Sequence, residues 1–272
     1  MPSPNAITAS QLNRLVGTPE CPVIIDVRID EDFEADPTYI PTAFRQSHRS
    51  IETLVPELLG RKVVLVCHGG LKLSEGAAAF LRLHGIAAEY LEGGAEGWKV
   101  SGFVRIPATS VAPGNAPGEC IWVTRHRPKI DRIACPWLIR RFVDPKARFL
   151  FVSPLQVQGV ADRFGAVPFD VEDVFWSHRG EACTFDTMVE EFGLKCEALE
   201  RLALVVRAAD TNRHDLAPQA AGLLAASVGL SRMFKDDLQQ LEAGLGLYDA
   251  FYRWARDASD EGHDWPTAAK RG

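Results

Sequence analysis

The 272-residue sequence lacks both a long uncharged apolar segment and an excess of basic residues. Its longest uncharged stretch, residues 216–231, contains Pro218 and Gln219 and is shorter than the roughly 20 apolar residues that cross a bilayer. The first residues also lack the basic segment and apolar core of a secretory signal. With 30 Lys and Arg against 36 Asp and Glu, the net charge of −6 argues against nucleic-acid binding through neutralised phosphates. We therefore expect a cytoplasmic protein whose partners are small molecules rather than a membrane or a nucleic acid.

The six cysteines lack any C-x-x-C pair. This spacing excludes a zinc ribbon and a thioredoxin-type redox pair. In a chain without a secretory signal we expect the cysteines to be reduced thiols. The role of each cysteine must therefore follow from the residues around it.

The composition, 46% apolar and 24% charged residues, is typical of a globular protein, and the length suits one large domain or two ordinary ones. Residues 107–120, PATSVAPGNAPGEC, contain three prolines and two glycines and show no apolar period. Such a segment is typical of a linker. We predict a first domain at residues 1–106 and a second at residues 121–272.

Each predicted domain has its own apolar pattern. In the first, uniformly apolar runs at 21–27 and 62–67 alternate with a helical period at 73–84, which predicts an α/β domain with a central parallel sheet buried on both faces. The second opens with a strand at 121–125 and is then rich in helical periods, which predicts a helix-rich α+β domain. Its predicted helices cover residues 184–193, 196–209, 217–229 and 234–256.

Cys67 ends the strongest predicted strand and precedes Gly69, Gly70 and a predicted helix. Two glycines allow a short loop to point several backbone N–H groups at one centre, and the helix adds the positive end of its dipole. A sulfur held there is favoured as the thiolate, which is the nucleophilic form. The alternative is a small buried hydrophobic residue, but that role does not require two consecutive glycines.

Four motifs in order make the first domain resemble the rhodanese (sulfurtransferase) family over about residues 8–105. They are Asp26-Val27-Arg28 for D-x-R, Tyr39-Ile40-Pro41-Thr42-Ala43 for H-I-P-G-A, Cys67-His68-Gly69-Gly70-Leu71-Lys72 for C-x-x-G-x-[RKT], and Leu91-Glu92-Gly93-Gly94 with Trp98 for L-x-G-G-x-x-x-W. Two positions depart from the family pattern, Thr42 in the turn and Leu73 after the loop.

The resemblance implies a thiosulfate-type sulfurtransferase in which Cys67 carries a persulfide. It implies that the active loop binds the substrate and that a thiol or cyanide accepts the sulfur, with no cofactor required. The loop has six residues, whereas related phosphatases and arsenate reductases use a loop one residue longer, so its length favours sulfur over phosphorus. The implied substrate-binding residues are His68, Gly69, Gly70, Leu71, Lys72 and Leu73.

His178, Asp186 and Asp210 in the second domain form a candidate site for a divalent metal. Their spacing does not place them on one helix face. A helix cap at Asp186 and a turn at Asp210 explain the same residues. Both interpretations stay open.

Long phrases make residues 120–257 resemble the C-terminal domain of bacterial chromate-resistance proteins, without implying catalytic residues. These phrases include WVTRHRPKIDRIACPWLIRRFVDP (122–145), SHRGEACTFDT (177–187) and RAADTNRHDLAPQAAGLLAASVGLS (207–231). The leading hypothesis is thus a sulfurtransferase associated with chromate resistance. The alternative is a non-catalytic oxyanion or redox sensor that signals through the basic residues 125–132. The sequence leaves the oligomeric state open, a homo-oligomer included.

Overall fold

The first half of the chain alternates short strands with helices. The computed structural model describes residues 4–111 and 120–262. The strands of this half are β1 (Ala6–Ile7), β2 (Val23–Asp26), β3 (Thr38–Tyr39), β4 (Phe44–Arg45), β5 (Lys62–Val66), β6 (Ala87–Leu91) and β7 (Ile106–Pro107). The helices are α1 (Ala9–Leu15), α2 (Asp30–Ala35), α3 (Val55–Leu58), α4 (Lys72–Leu83) and α5 (Gly94–Val100), with 3₁₀ turns at His48–Leu54 and Ala108–Ser110.

Five of these strands form one parallel sheet in the order β1-β6-β5-β2-β4. Its central strand, β5, is buried on both faces. Val64 and Val66 face one hydrophobic core, whereas Val63 and Leu65 face another, which α4 covers. Because the strands are parallel, their carboxyl ends meet at one edge of the sheet, where Cys67 follows β5. The predicted α/β domain with a central parallel sheet is confirmed.

The second half is rich in helices around a small parallel sheet of order β10-β8-β9. Its strands are β8 (Ile121–Arg125), β9 (Arg148–Val152) and β10 (Val167–Pro168). Its helices are α6 (Asp131–Leu138), α7 (Val157–Phe164), α8 (Thr184–Glu191), α9 (Glu197–Asp210), α10 (Ala220–Met233) and α11 (Asp237–Arg253), with π-helical turns at Ile139–Val143 and Trp254–Ala258. The predicted helix-rich α+β domain is confirmed, although β9, β10 and α7 were not predicted from the sequence.

One hydrophobic core continues from the sheet of the first half into the helices of the second. The N–H of Thr42 donates a hydrogen bond to the carbonyl of Phe142 over 2.7 Å. Gly17 has a φ of +79°, and a Cβ there would lie 2.4 Å from the Cζ of Phe142. The two halves therefore meet in a closely packed interface, which the sequence did not predict.

Part of the predicted linker has regular structure. Pro107 pairs with Thr38 in a short antiparallel ladder between β3 and β7. The Ser110 hydroxyl donates a hydrogen bond to the carbonyl of Glu191 over 2.7 Å. Residues 112–119 of the linker lie outside the described residues, so the division into two domains stays a prediction. No helix in the described part of the chain is long and apolar enough to cross a membrane.

Candidate functional sites

Cys67 lies between the carboxyl end of β5 and the amino end of α4. The thiol is 5% exposed. Its Sγ accepts a hydrogen bond from the N–H of Leu71 over 3.3 Å and lies 3.1 Å from the Oγ of Ser74. The structure therefore places one backbone donor and one hydroxyl, which also donates to the Leu71 carbonyl over 3.2 Å, against the sulfur at the positive end of a helix dipole. Ser74 was not among the predicted site residues, and its only sequence signal is a hydroxyl in the first turn of the helix behind the loop.

Glycines allow the active loop to pack directly against the loop after β6. A Cβ on Gly70 would lie 2.4 Å from the carbonyl oxygen of Leu91, and one on Gly94 would lie 2.2 Å from the carbonyl oxygen of Cys67. Both glycines have positive φ angles. The N–H of Ala95 donates to the Cys67 carbonyl over 2.9 Å. This backbone contact fixes the loop, and it requires glycine at both positions.

The other predicted loop residues differ in exposure. Gly70 is buried and Gly69 and Leu73 are partly buried, whereas His68, Leu71 and Lys72 are exposed. Lys72 and Leu73 line a cleft of about 240 Å³, together with His48 and Arg49 among other residues. The cleft therefore joins the end of the loop to basic side chains from another segment.

The D-x-R motif supports the sheet edge instead of the chemistry. Arg28 and Asp26 form a buried ion pair of 2.6 Å. The Arg28 guanidinium also donates to the carbonyls of Asp36 and Thr38, over 3.0 and 2.7 Å. One buried arginine thus anchors the segment after α2 to the carboxyl end of β2.

His178 lies at the centre of a charged cluster in the second half. Its Nε2 lies 3.3 Å from Asp210 Oδ2, 3.4 Å from Asp170 Oδ1 and 3.5 Å from Asp131 Oδ2. Ligand atoms of Asp131, Asp170 and His178 all lie within 4.8 Å of one another. The structure therefore brings the predicted His178 and Asp210 together and adds Asp131 and Asp170.

Asp186, the third predicted metal ligand, is engaged elsewhere. Its Oδ2 accepts the N–H of Cys183 over 2.9 Å, and its Oδ1 lies 3.3 Å from the guanidinium of Arg207. These contacts cap the first turn of α8. The structure thus corrects this position: Asp186 is a helix-capping residue, and Asp131 and Asp170 are the carboxylates next to the imidazole.

The cluster shifts the acidity of its members. Burial raises the pKa of Asp131 well above its usual range, and the carboxylates of Asp210 and Asp170 raise it further. Hydrogen bonds to Asp170 and Asp210 raise the pKa of His178 to about 10. Burial opposes ionisation of Asp170, but hydrogen bonds from His178 and Thr184 outweigh it and lower the pKa of that carboxyl. Negative charge therefore dominates the environment of the imidazole.

The basic residues 125–132, suggested as a surface for signalling, bind groups within the chain. Arg125 and Arg132 pair with Asp170 at 3.2 and 3.3 Å. Arg127 donates to the carbonyl of Phe234 over 3.0 Å, and its N–H donates to Asp237. These three arginines therefore bind groups within the second half, although the side chain of Arg125 is 41% exposed.

Comparisons with known proteins match both halves. Residues 8–101 match the family described as Rhodanese-like domain, and residues 122–255 match ChrB, C-terminal domain. Protein ChrB of Cupriavidus metallidurans is 35% identical over 133 residues, which are 48% of this chain and 39% of that protein. The chain therefore spans well under half of that relative's length.

Solved structures similar to the first half include two rhodanese-type proteins. The rhodanese-related protein of Thermoplasma volcanium is 22% identical and covers 38% of this chain and 97% of its own, with a TM-score of 0.33. The rhodanese-like domain protein of Staphylococcus aureus is 29% identical and covers 35% and 90%, with a TM-score of 0.31. Because the family matches confirm both sequence resemblances, the chain combines a rhodanese-like domain, with the fold of the sulfurtransferase superfamily, and a ChrB C-terminal domain.

Proposed function

We propose that the rhodanese-like domain is a sulfurtransferase that carries sulfane sulfur as a persulfide on Cys67. The observation that supports this most directly is the sulfur of Cys67 at the start of α4, in contact with the Leu71 amide and the Ser74 hydroxyl. Both donors and the helix dipole stabilise negative charge on the sulfur. A thiolate held in this way is a nucleophile for sulfur transfer.

Thiosulfate is the proposed donor. The Cys67 thiolate attacks its outer sulfur, a new S–S bond forms, the S–S bond of thiosulfate breaks, and sulfite leaves with the bonding electron pair. Cyanide or an acceptor thiolate then attacks the outer sulfur of the persulfide, and the Cys67 thiolate leaves. The Leu71 amide and the Ser74 hydroxyl stabilise the thiolate at the beginning and at the end of this cycle.

The surroundings of the loop suit an anionic donor. The cleft next to the loop is lined by His48, Arg49 and Lys72 among others, and Lys72 is the first residue of α4. Arg49 and Lys72 would attract a doubly charged anion there, while the carboxylate of Glu52 in the same lining would oppose it. The active loop also has the six-residue length that favours transfer of sulfur over transfer of phosphorus.

Incubation with thiosulfate tests the proposal. We expect mass spectrometry to find one added sulfur atom on Cys67, and we expect thiocyanate to form when cyanide is added. Cys67→Ser should abolish both. Cys21→Ser is the matched control, because burial raises the pKa of Cys21 to about 11, which keeps that thiol protonated at neutral pH.

Two results would contradict the proposal: no persulfide on the wild-type protein with any sulfane donor, or thiocyanate production by Cys67→Ser at the wild-type rate. The first would favour the non-catalytic alternative, in which the loop binds an oxyanion or registers oxidation of Cys67.

We also propose that the protein acts in chromate resistance. The support is the ChrB C-terminal domain at residues 122–255 and its resemblance to chromate-resistance proteins. Chromate and thiosulfate are both dianions, and chromate stress consumes thiols. Expression in a chromate-sensitive bacterium should raise the chromate concentration that the cells tolerate, and Cys67→Ser should weaken that protection. Equal growth with the wild-type protein and with an empty vector would contradict the association.

A further inference from the structure

We propose that Asp131, Asp170 and His178 bind one divalent cation of the first transition series, with Mn²⁺ as the best-suited ion. This site lies in the ChrB C-terminal domain and is independent of the chemistry at Cys67. Its three side chains come from the start of α6, from the segment after β10 and from the segment before α8. The fold brings them together, since Asp170 lies 39 residues after Asp131 and His178 lies 8 residues after Asp170.

Asp131 supplies the first argument. Its side chain is 1% exposed, and its Oδ1 has no hydrogen-bond partner in the described part of the chain. Leaving a buried carboxylate oxygen without a partner is costly. The other oxygen of the same carboxylate lies 3.5 Å from His178 Nε2, so the unpartnered group belongs to the cluster. A cation bound by both oxygens of this carboxylate would give Oδ1 the partner that it lacks.

The imidazole supplies the second argument. Three carboxylate oxygens lie within 3.5 Å of His178 Nε2, which carries at most one hydrogen. One N–H cannot be aligned with three acceptors, whereas a metal ion accepts several ligands around one centre. Arg125 and Arg132 both contact Asp170. Asp131 and Asp210 share the imidazole, and the charge of Arg132 also acts on both carboxylates.

The distances also suit a metal. Neighbouring ligands of an octahedrally coordinated ion such as Mn²⁺, at about 2.2 Å from the ion, lie about 3.1 Å from each other. His178 Nε2 lies 3.4 Å from Asp170 Oδ1 and 3.5 Å from Asp131 Oδ2. Small side-chain shifts would therefore be enough to place one ion between these three groups.

Thr184 holds the two carboxylates in place. Its N–H donates to Asp131 Oδ2 over 2.6 Å, and its hydroxyl donates to Asp170 Oδ1 over 2.9 Å. Hydrogen bonds that orient ligands in this way are a regular part of metal sites. The threonine itself is fully buried, so its donors are fixed by the packing of α8.

The ligand types and the exposure indicate which ion fits. Two carboxylates with one imidazole suit a cation that accepts both oxygen and nitrogen, such as Mn²⁺, better than one that prefers thiolates. The side chain of His178 is 41% exposed, while Asp131 and Asp170 are buried. An ion could thus enter from the histidine side and keep water as further ligands there.

Titration of the chelator-treated full chain with MnCl₂ tests the site. Calorimetry, together with the loss of the free Mn²⁺ signal in electron paramagnetic resonance, should give one bound ion per chain. His178→Gln and Asp170→Asn should each weaken binding at least about tenfold. Asparagine suits position 170 because it tolerates the positive φ of 52° that Asp170 adopts.

His214→Gln and Asp215→Asn are matched controls, because both residues are exposed and lie outside the cluster. Both should bind Mn²⁺ like the wild type, and circular dichroism should show that every variant is folded. The proposal is wrong if the wild type binds no Mn²⁺, or if folded His178→Gln and Asp170→Asn bind it as tightly as the wild type.

Discussion

The hydroxyl of Ser74 lies 3.1 Å from the sulfur of Cys67, the proposed nucleophile. A hydrogen bond to a thiolate strengthens as charge develops on the sulfur. We therefore expect Ser74→Ala to lower kcat/KM for thiocyanate formation roughly ten- to a hundredfold, the value of one hydrogen bond to a charged group.

Ser101→Ala is the matched control for this substitution, because Ser101 is an exposed residue directly after α5 whose hydroxyl donates to the carbonyl of Gly97. Steady-state kinetics with thiosulfate and cyanide should show wild-type values for it. An unchanged kcat/KM in Ser74→Ala would remove the hydroxyl from the mechanism.

The candidate residues that the sequence predicted well are those placed by local structure. Cys67 and its loop follow from one strand, two glycines and one helix, all within a short segment. Asp131 and Asp170 were missed, because only tertiary packing brings them to His178. Asp186 was chosen in their place, since a carboxylate in the first turn of a helix has the same sequence signal whether it caps the helix or binds a metal.

Two loops form the active edge of the sheet, and their packing depends on glycine. A Cβ on Gly70 or Gly94 would collide with backbone atoms, and both residues have positive φ angles. We expect Gly70→Ala and Gly94→Ala each to lower the free energy of unfolding by about 2–4 kcal/mol and to reduce persulfide formation. Urea denaturation and mass spectrometry after thiosulfate treatment measure the two effects.

Gly76→Ala separates this effect from the general cost of replacing a glycine. Gly76 lies inside α4, and an added Cβ there would meet no atom within 4 Å. The substitution should therefore stabilise the protein by about 0.5–1 kcal/mol. Equal destabilisation by all three substitutions would contradict the proposed packing of the loops.

Asp36 joins the end of α2 to α5 and to the segment before β7. Its carboxylate lies 2.8 Å from Arg105 and 3.2 Å from Lys99. Burial opposes ionisation, but the hydrogen bond from Lys99 and the charge of Arg105 outweigh it, so the pKa of Asp36 is lowered. The resulting stabilisation is complete above the usual aspartate pKa of about 4 and is lost as the pH falls through the lower native value.

We therefore expect Asp36→Asn to destabilise the protein by about 1 kcal/mol at pH 7 and by progressively less below pH 4. Urea denaturation at several pH values measures the difference. Asp30→Asn is the control, because the Asp30 side chain is 80% exposed and its pair with Arg45 should contribute little. If the stability lost in Asp36→Asn does not change with pH, the ionised carboxylate of Asp36 is not the source of the stabilisation.

Helices and strands with a regular apolar pattern were predictable from the sequence, whereas the change of helix type after α6 was not. The strand at Ile121–Arg125 was predicted with its observed bounds, and α9 differs from its predicted range by one residue at each end. The apolar period of α6 continues to Phe142, but the structure changes there to a π-helical turn at Ile139–Val143. Propensity does not distinguish these two helix types.

At the scale of the whole molecule, the shared core limits how independent the two halves are. Buried side chains of the sheet in the first half and of the helices in the second belong to one continuous cluster. Phe142 lies at the junction and is 1% exposed. Its ring lies next to Gly17 of the first half and packs edge-on against Tyr252 of the second, at 5.5 Å between ring centroids. A cavity at this position would therefore affect both halves.

We expect Phe142→Ala to lower the free energy of unfolding by about 3–5 kcal/mol, as for other buried phenylalanines. If the halves unfold together, amide hydrogen exchange should accelerate by a similar factor at residues 62–66 and at residues 197–210. Leu155→Ala is the control, because Leu155 is 94% exposed and its loss should change stability by no more than about 0.5 kcal/mol. Exchange that accelerates at 197–210 but not at 62–66 would show that the second half opens while the rhodanese-like domain stays folded. In that case the interface at Phe142 would hold two independently stable domains together, and Cys67 would keep its loop geometry when the second domain opens.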